Sequence, residues 1–245
     1  MEIGVYGLGR FGFFWADLLS EFFNVKAFSR SLKRLTPPKV ERVSEEEVLK
    51  CPVIFFCNAI SSFEEVIKRI AGRLKPNTLI MDTCSVKVIP AKIMEKYLPE
   101  NIKIIATHPM FGPDSAKKSY KGLPIIICPI RAKNEIVTEW IDFFSSIKLK
   151  TIKMTPEDHD YQAAYTQGIT HYVGRVLADL DLRQSKIGTV GYNKLLEIKE
   201  QTCNDPWQLF LDLQRFNPYT KEMREKLHDS LDRMLKKLDS SLDMS

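Results

Sequence analysis

Glu2-Ile3-Gly4-Val5-Tyr6-Gly7-Leu8-Gly9-Arg10-Phe11-Gly12 decides how the chain folds. A short β-forming run leads directly into Gly-x-Gly-x-x-Gly, and a helical pattern follows to about Phe23. The glycine spacing alone is weak evidence, but a strand before it and a helix after it are what a dinucleotide fingerprint demands. Gly7 permits the tight turn, Gly9 lets the main chain approach a pyrophosphate, and Gly12 lets helix and strand pack closely. The helix N-terminus then offers N–H groups to an anion. Gly7 to Gly12, with Leu8, Arg10 and Phe11 between the glycines, are therefore expected to bind a cofactor.

Moving outward, the next strand, Val25 to Phe28, ends in Ser29-Arg30-Ser31. An NAD site places a carboxylate about twenty residues past the glycines to hold the ribose 2′-hydroxyl. A hydroxyl and a guanidinium stand there instead, with Lys33 and Arg34 close behind, and arginine suits a phosphate. NADP is the expected cofactor. A weak strand is expected near Val40, and Ser44 with Glu47 reads as a capping box. Val53 to Cys57 is an apolar run without a polar face, as in a central parallel strand, and it delivers Cys57 and Asn58 to the ligand edge.

Thr78 to Met81 reads as the next strand. It ends in Asp82-Thr83-Cys84-Ser85-Val86-Lys87, which brings a hydroxyl and an amine to the same edge. Ser85 either caps the following helix or hydrogen-bonds a substrate hydroxyl. A further strand, Ile102 to Ala106, runs into Thr107-His108-Pro109-Met110-Phe111-Gly112-Pro113, whose prolines stiffen the loop around the imidazole. Ligands of open α/β sheets bind beyond the carboxyl ends of the strands, so three loops converge on one edge. Pro124 to Cys128 (strand), Asn134 to Ser146 (helix) and Leu149 to Met154 (strand) continue the alternation. The fold class is α/β, a doubly wound, mostly parallel sheet.

The pattern changes at Thr155-Pro156-Glu157-Asp158, an N-cap with proline at N1, and only helices are expected from there to Ser245. The expected division is a dinucleotide-binding domain over 1–154 and a helical domain over 155–245. His159 and His171, twelve residues apart, fall on different faces of one helix, so no metal pair is expected. Gln167, His171 and Arg175 share a face that would suit a polar cleft. From about Thr220, Met223, Leu227, Leu231, Met234, Leu235 and Leu238 form an apolar stripe that needs a partner, either the sheet domain or a second copy.

A formal charge of +5 across 245 residues is small, and no basic patch interleaved with aromatics marks a nucleic-acid face. Five scattered cysteines without C-x-x-C suggest reduced thiols, and no apolar run is long enough for a bilayer. A cytoplasmic location is expected.

Gly7-x-Gly9-x-x-Gly12, Asp82-x-x-Ser85-Val86-Lys87, Thr107 to Pro113, Glu157-Asp158-His159-Asp160 and Gln167-Gly168-Ile169-Thr170-His171 to Leu177 together resemble the prephenate/arogenate dehydrogenase family of tyrosine biosynthesis. Gly191-Tyr192-x-x-Leu195-Leu196 and Phe216-Asn217 look most similar to its plant-type, NADP-using arogenate branch. The resemblance implies oxidative decarboxylation of a cyclohexadienyl substrate, with His108 taking the proton of the ring hydroxyl and Ser85 orienting it. It implies substrate contacts from Lys87, Gln167, His171 and Arg175, and a homodimer through the helical domains. Asp114 would pair with the ammonium of arogenate. One departure stands out: bacterial relatives carry a carboxylate-binding arginine five residues before an Asp-Pro step, whereas here Asp205-Pro206 follows Glu200. Lys194, Lys199, Arg175 or a partner chain would then supply that charge. Two alternatives remain: another two-domain reductase, of the β-hydroxyacid dehydrogenase or imine reductase kind, and a nucleotide-binding regulator without turnover.

Overall fold

The computed structural model describes residues 1–242. It divides into two compact units, Met1–His159 and Asp160–Ser245.

In the first unit, strand β1 (Glu2–Tyr6) feeds helix α1 (Arg10–Ser20), and β2 (Asn24–Phe28) follows. The expected strand near Val40 forms as the two-residue β3 (Glu41–Arg42). The short α2 (Glu45–Val48) carries the reciprocal Ser44–Glu47 capping box. After β4 (Val53–Phe56) come α3 (Ile60–Ile70), β5 (Leu79–Asp82), α4 (Val88–Tyr97) and β6 (Lys103–Pro109). Then β7 (Pro124–Arg131), α5 (Asn134–Ser146) and β8 (Lys150–Lys153) complete the sheet.

The strand order is β3-β2-β1-β4-β5-β6-β7-β8, mostly parallel as expected. The β6–β7 pair is antiparallel, because no helix lies between these strands to carry the chain back across the sheet. Phe55 and Phe56 show how β4 is buried from both sides. Phe55 packs edge-on to Trp15 of α1 and Trp140 of α5, while Phe56 stacks on Tyr6 and meets Phe63 of α3. An all-apolar strand is therefore the stable choice at this position.

The expected long helix begins at the end of the first unit, continues into the second, and is interrupted. Thr155 caps the N-terminus of α6 (Pro156–Ala163) by accepting from the Asp158 N–H at 3.1 Å. A π-helical turn, Ala164–Gly168, then joins α6 to α7 (Ile169–Asp179). This turn shifts the phase of everything after it, so the ideal 100° count between His159 and His171 does not describe the helix. Three more helices follow: α8 (Val190–Cys203), α9 (Trp207–Phe216) and α10 (Thr220–Leu242). The apolar stripe of α10 is covered only at its start. Met223 is buried, Leu227 is half-buried, and Leu231, Met234, Leu235 and Leu238 lie exposed.

Candidate active site

The parallel ladder aligns Phe28, Tyr6, Phe56, Asp82 and Ala106 at one level across five strands. Gly7, Cys57, Asn58, Ser85 and His108 all lie just beyond that level, on the carboxyl edge. From β1 to β6 there are three strand spacings of about 4.8 Å, so the glycine turn and His108 stand about 14 Å apart along the edge.

At one end, Gly7 has φ +110°, which only glycine adopts without strain, and its N–H donates to the Phe28 carbonyl at 2.8 Å. A Cβ on Gly12 would lie 1.8 Å from the Gly7 carbonyl oxygen, so no side chain fits there. A Cβ on Gly9 would meet nothing within 4 Å: the turn is closed below and open above. Gly9 is the N-cap of α1 and no side chain caps that helix. Leu8 is buried and Phe11 stacks on Trp15, so only their main chains can face a ligand. Asn58 donates to the Ala59 carbonyl and to Ser62 Oγ, while its own Oδ1 is buried with no hydrogen-bond partner. Burial pushes the neighbouring Cys57 thiol up to about 12, leaving a neutral S–H. An open glycine turn at an uncapped helix start and an orphaned amide oxygen suit a dinucleotide.

At the other end is a buried charged knot. Asp82 and Lys87 side chains are 0% exposed and form an ion pair. Lys87 Nζ also donates to the Thr107 carbonyl at 2.6 Å. Asp82 accepts from the Cys84 and Thr107 N–H groups, and Thr107 Oγ1 donates back to the Asp82 carbonyl at 2.5 Å. Lys87, expected at the substrate, is turned inward here. A buried ammonium must be paired, and it is paired inward, clamping the residue that precedes His108.

His108 lies inside β6, one residue from its end, where a loop position just past the strand was expected. It is 3% exposed, and its Nδ1 stands 2.8 Å from Nε2 of His159. One of these nitrogens carries the shared proton. His159 is expected from the sequence as a helix residue unpaired with His171 and as part of the Glu157-Asp158-His159-Asp160 motif; its partner His108 lies 51 positions away, beyond any local pattern. Ser85 does not cap α4, whose N-cap is Lys87 with no side-chain bond. The Ser85 Oγ is buried and unpartnered. Asp114, expected at an ammonium, pairs at 2.5 Å with Arg10, expected at the cofactor. Ser29 is half-buried, and Arg30 and Ser31 are exposed at the end of β2.

The helical unit has its own polar face. Gln167 Oε1, His171 Nδ1 and Arg175 Nε are all buried without a hydrogen-bond partner. Burial lowers the His171 pKa, which favours a neutral ring. Arg175 is held by the Thr202 and Asp205 carbonyls at 3.1 and 2.8 Å, and it lies over the rings of Trp207 and Phe210. It lines a cleft of about 390 Å³ with Tyr172, Asp179 and both rings. Lys199 donates to the Leu182 carbonyl.

Residues 29–153 match the family model described as prephenate dehydrogenase, nucleotide-binding domain, and residues 176–245 match one described as TYRAAT1-like, C-terminal domain. The chain is 37% identical to arogenate dehydrogenase 2, chloroplastic, of Arabidopsis thaliana, over 76% of this chain and 54% of that protein. It is 31% identical to a probable arogenate/prephenate dehydrogenase of Methanocaldococcus jannaschii, over 91% of this chain and 52% of that one. The chain thus spans about half the length of these curated relatives. Among solved structures, prephenate dehydrogenase from A. aeolicus with hydroxyphenyl propionate and NAD+ aligns with TM-score 0.73 at 18% identity, covering 98% of this chain and 92% of that one. Synechocystis arogenate dehydrogenase aligns with TM-score 0.70 at 18% identity, covering 98% and 93%. Both share the fold.

Proposed function

The chain belongs to the prephenate/arogenate dehydrogenase family, and from that premise we propose that it is an NADP-dependent dehydrogenase that oxidatively decarboxylates arogenate or prephenate. The observation that carries this reading is His108 at the carboxyl edge, following a Thr107 held by Asp82 and Lys87, with the unpartnered Ser85 hydroxyl just past the end of the neighbouring strand.

His108 accepts the proton of the ring C4 hydroxyl as the C4 hydride departs. An imidazole suits this because its ordinary pKa lies near working pH. The charge it gains is shared with His159, whose Nε2 faces its Nδ1. Ser85 Oγ, having no protein partner, is available to fix the same hydroxyl. As the ring carboxylate leaves as CO2, its bonding electrons enter the ring and the C4 oxygen becomes a phenolate, to which His108 returns the proton. The bound nicotinamide would supply the hydride acceptor, held by Gly7 to Gly12 and Asn58. Ser29, Arg30 and Ser31 would hold the 2′-phosphate. Gln167, His171 and Arg175 are assigned to the substrate's polar groups. Asp114 is assigned to the ammonium of arogenate, which prephenate lacks and which would take the place of the Arg10 guanidinium now 2.5 Å away.

A homodimer through the exposed stripe of α10 completes the proposal, with Leu231 and Leu235 62% and 61% exposed in the single chain. Among the described residues, no helix is long and apolar enough to cross a membrane. The test is reduction of NADP and of NAD with purified arogenate and prephenate. Turnover is expected with NADP, faster on arogenate; silence on both substrates contradicts the reading.

A further inference from the structure

The segment after β2 is organised by a residue that lies outside it. Arg42 on the edge strand β3 sits opposite Ala27 in the parallel ladder, two positions short of Ser29. Its guanidinium Nη2 donates to the carbonyls of Ser29 at 3.3 Å and Ser31 at 2.8 Å, and Nη1 donates to the carbonyl of Arg34. The Arg34 N–H bonds the Ser31 carbonyl at 3.2 Å, closing the segment into a turn. Three carbonyls from six residues thus converge on one half-buried cation. The side chains of Arg30, Ser31, Lys33 and Arg34 all lie exposed.

We propose that Arg42 is a positioning residue for cofactor choice, acting through the main chain of this segment to hold Ser29, Arg30 and Ser31 as a ready-made site for the 2′-phosphate. The inference rests on the NADP reading above and names the residue that enforces it. Preorganising a phosphate site spares the ordering cost that a loose loop would meet on binding. A planar guanidinium reaches three acceptors at once, whereas a lysine ammonium is a compact point donor that cannot span them.

The experiment measures dissociation constants of NADP and NAD for the full chain, comparing wild type, Arg42→Lys, Arg42→Met and Arg30→Ala, with trypsin cleavage after residues 30–34 followed in parallel. Arg42→Met is expected to raise the NADP constant about tenfold, comparable to losing one charge-assisted contact, while the NAD constant moves less than about twofold. Cleavage within the segment should accelerate, and Arg42→Lys should restore little of either property. If Arg42→Met weakens both cofactors equally, or leaves a normal NADP preference, the proposal is overturned by itself. If wild type shows no NADP preference and Arg30→Ala changes nothing, the NADP reading fails and takes this inference with it.

Discussion

Two regions bury polar side chains, and they do so in opposite ways. The knot at the ends of β5 and β6 is saturated: Asp82, Lys87 and Thr107 satisfy one another and the adjoining main chain. The face of the helical unit is not, since Gln167, His171 and Arg175 each bury a nitrogen or oxygen without a partner. A saturated buried network rigidifies its surroundings, whereas an unsatisfied one costs stability unless a ligand completes it. The knot is therefore built for holding still, and the helical face is the one to which the proposed function assigns the substrate's polar groups. Ser85 belongs with the second class although its neighbours in sequence belong with the first.

The largest expected effect breaks the knot. Lys87→Met leaves Asp82 buried and unpaired, and chemical denaturation should show a loss of about 3–5 kcal/mol. A loss below 1 kcal/mol would mean that the ion pair is not what holds the strand ends. The opposite class should respond in the opposite sense. Gln167→Leu removes an orphaned oxygen, so stability should stay within about 1 kcal/mol of wild type while the substrate KM rises. Ser85→Ala should lower kcat/KM about tenfold, worth about 1.4 kcal/mol of transition-state binding, with an unchanged melting temperature. A large stability loss in either variant would show that these groups are structural after all.

The smallest effect lies outside both regions and sharpens the contrast. Glu45 ties Tyr6 to Arg69 and Arg73, and the Arg69 guanidinium first, against some desolvation, holds its carboxyl down to about 2. A carboxyl lowered in the folded state contributes stability above its unfolded pKa and loses it as the pH falls. The contribution should therefore fade between about pH 4.5 and 2. Because this cluster is partly solvated, Glu45→Gln should cost only about 1 kcal/mol at neutral pH, and that difference should vanish in acid.

Local chemistry was legible in the sequence; reach across space was not. The glycine turn, the Ser44–Glu47 box and the helix Asn134–Ser146 follow from neighbouring residues and appear where the pattern places them. The alignment of the strand ends at one edge was legible too, because parallel pairing fixes it. The inward turn of Lys87 was hidden, since nothing near it announces that Asp82 and the Thr107 carbonyl lie within reach. Arg42 and His159 escaped for the same reason: each acts on residues brought to it by strand pairing or by a distant helix. The π-helical turn at Ala164–Gly168 also has no local signature, yet it resets the face on which His171 and Arg175 lie.

His108 at the sheet edge is the proposed base. Its most direct test is the single-turnover rate of NADPH formation from arogenate by His108→Asn, with cofactor binding measured on the same sample. The rate should fall by about 10²–10⁴ while NADP still binds, since asparagine keeps a polar side chain but cannot take the proton. Turnover within a few-fold of wild type would place the base elsewhere and contradict the mechanism.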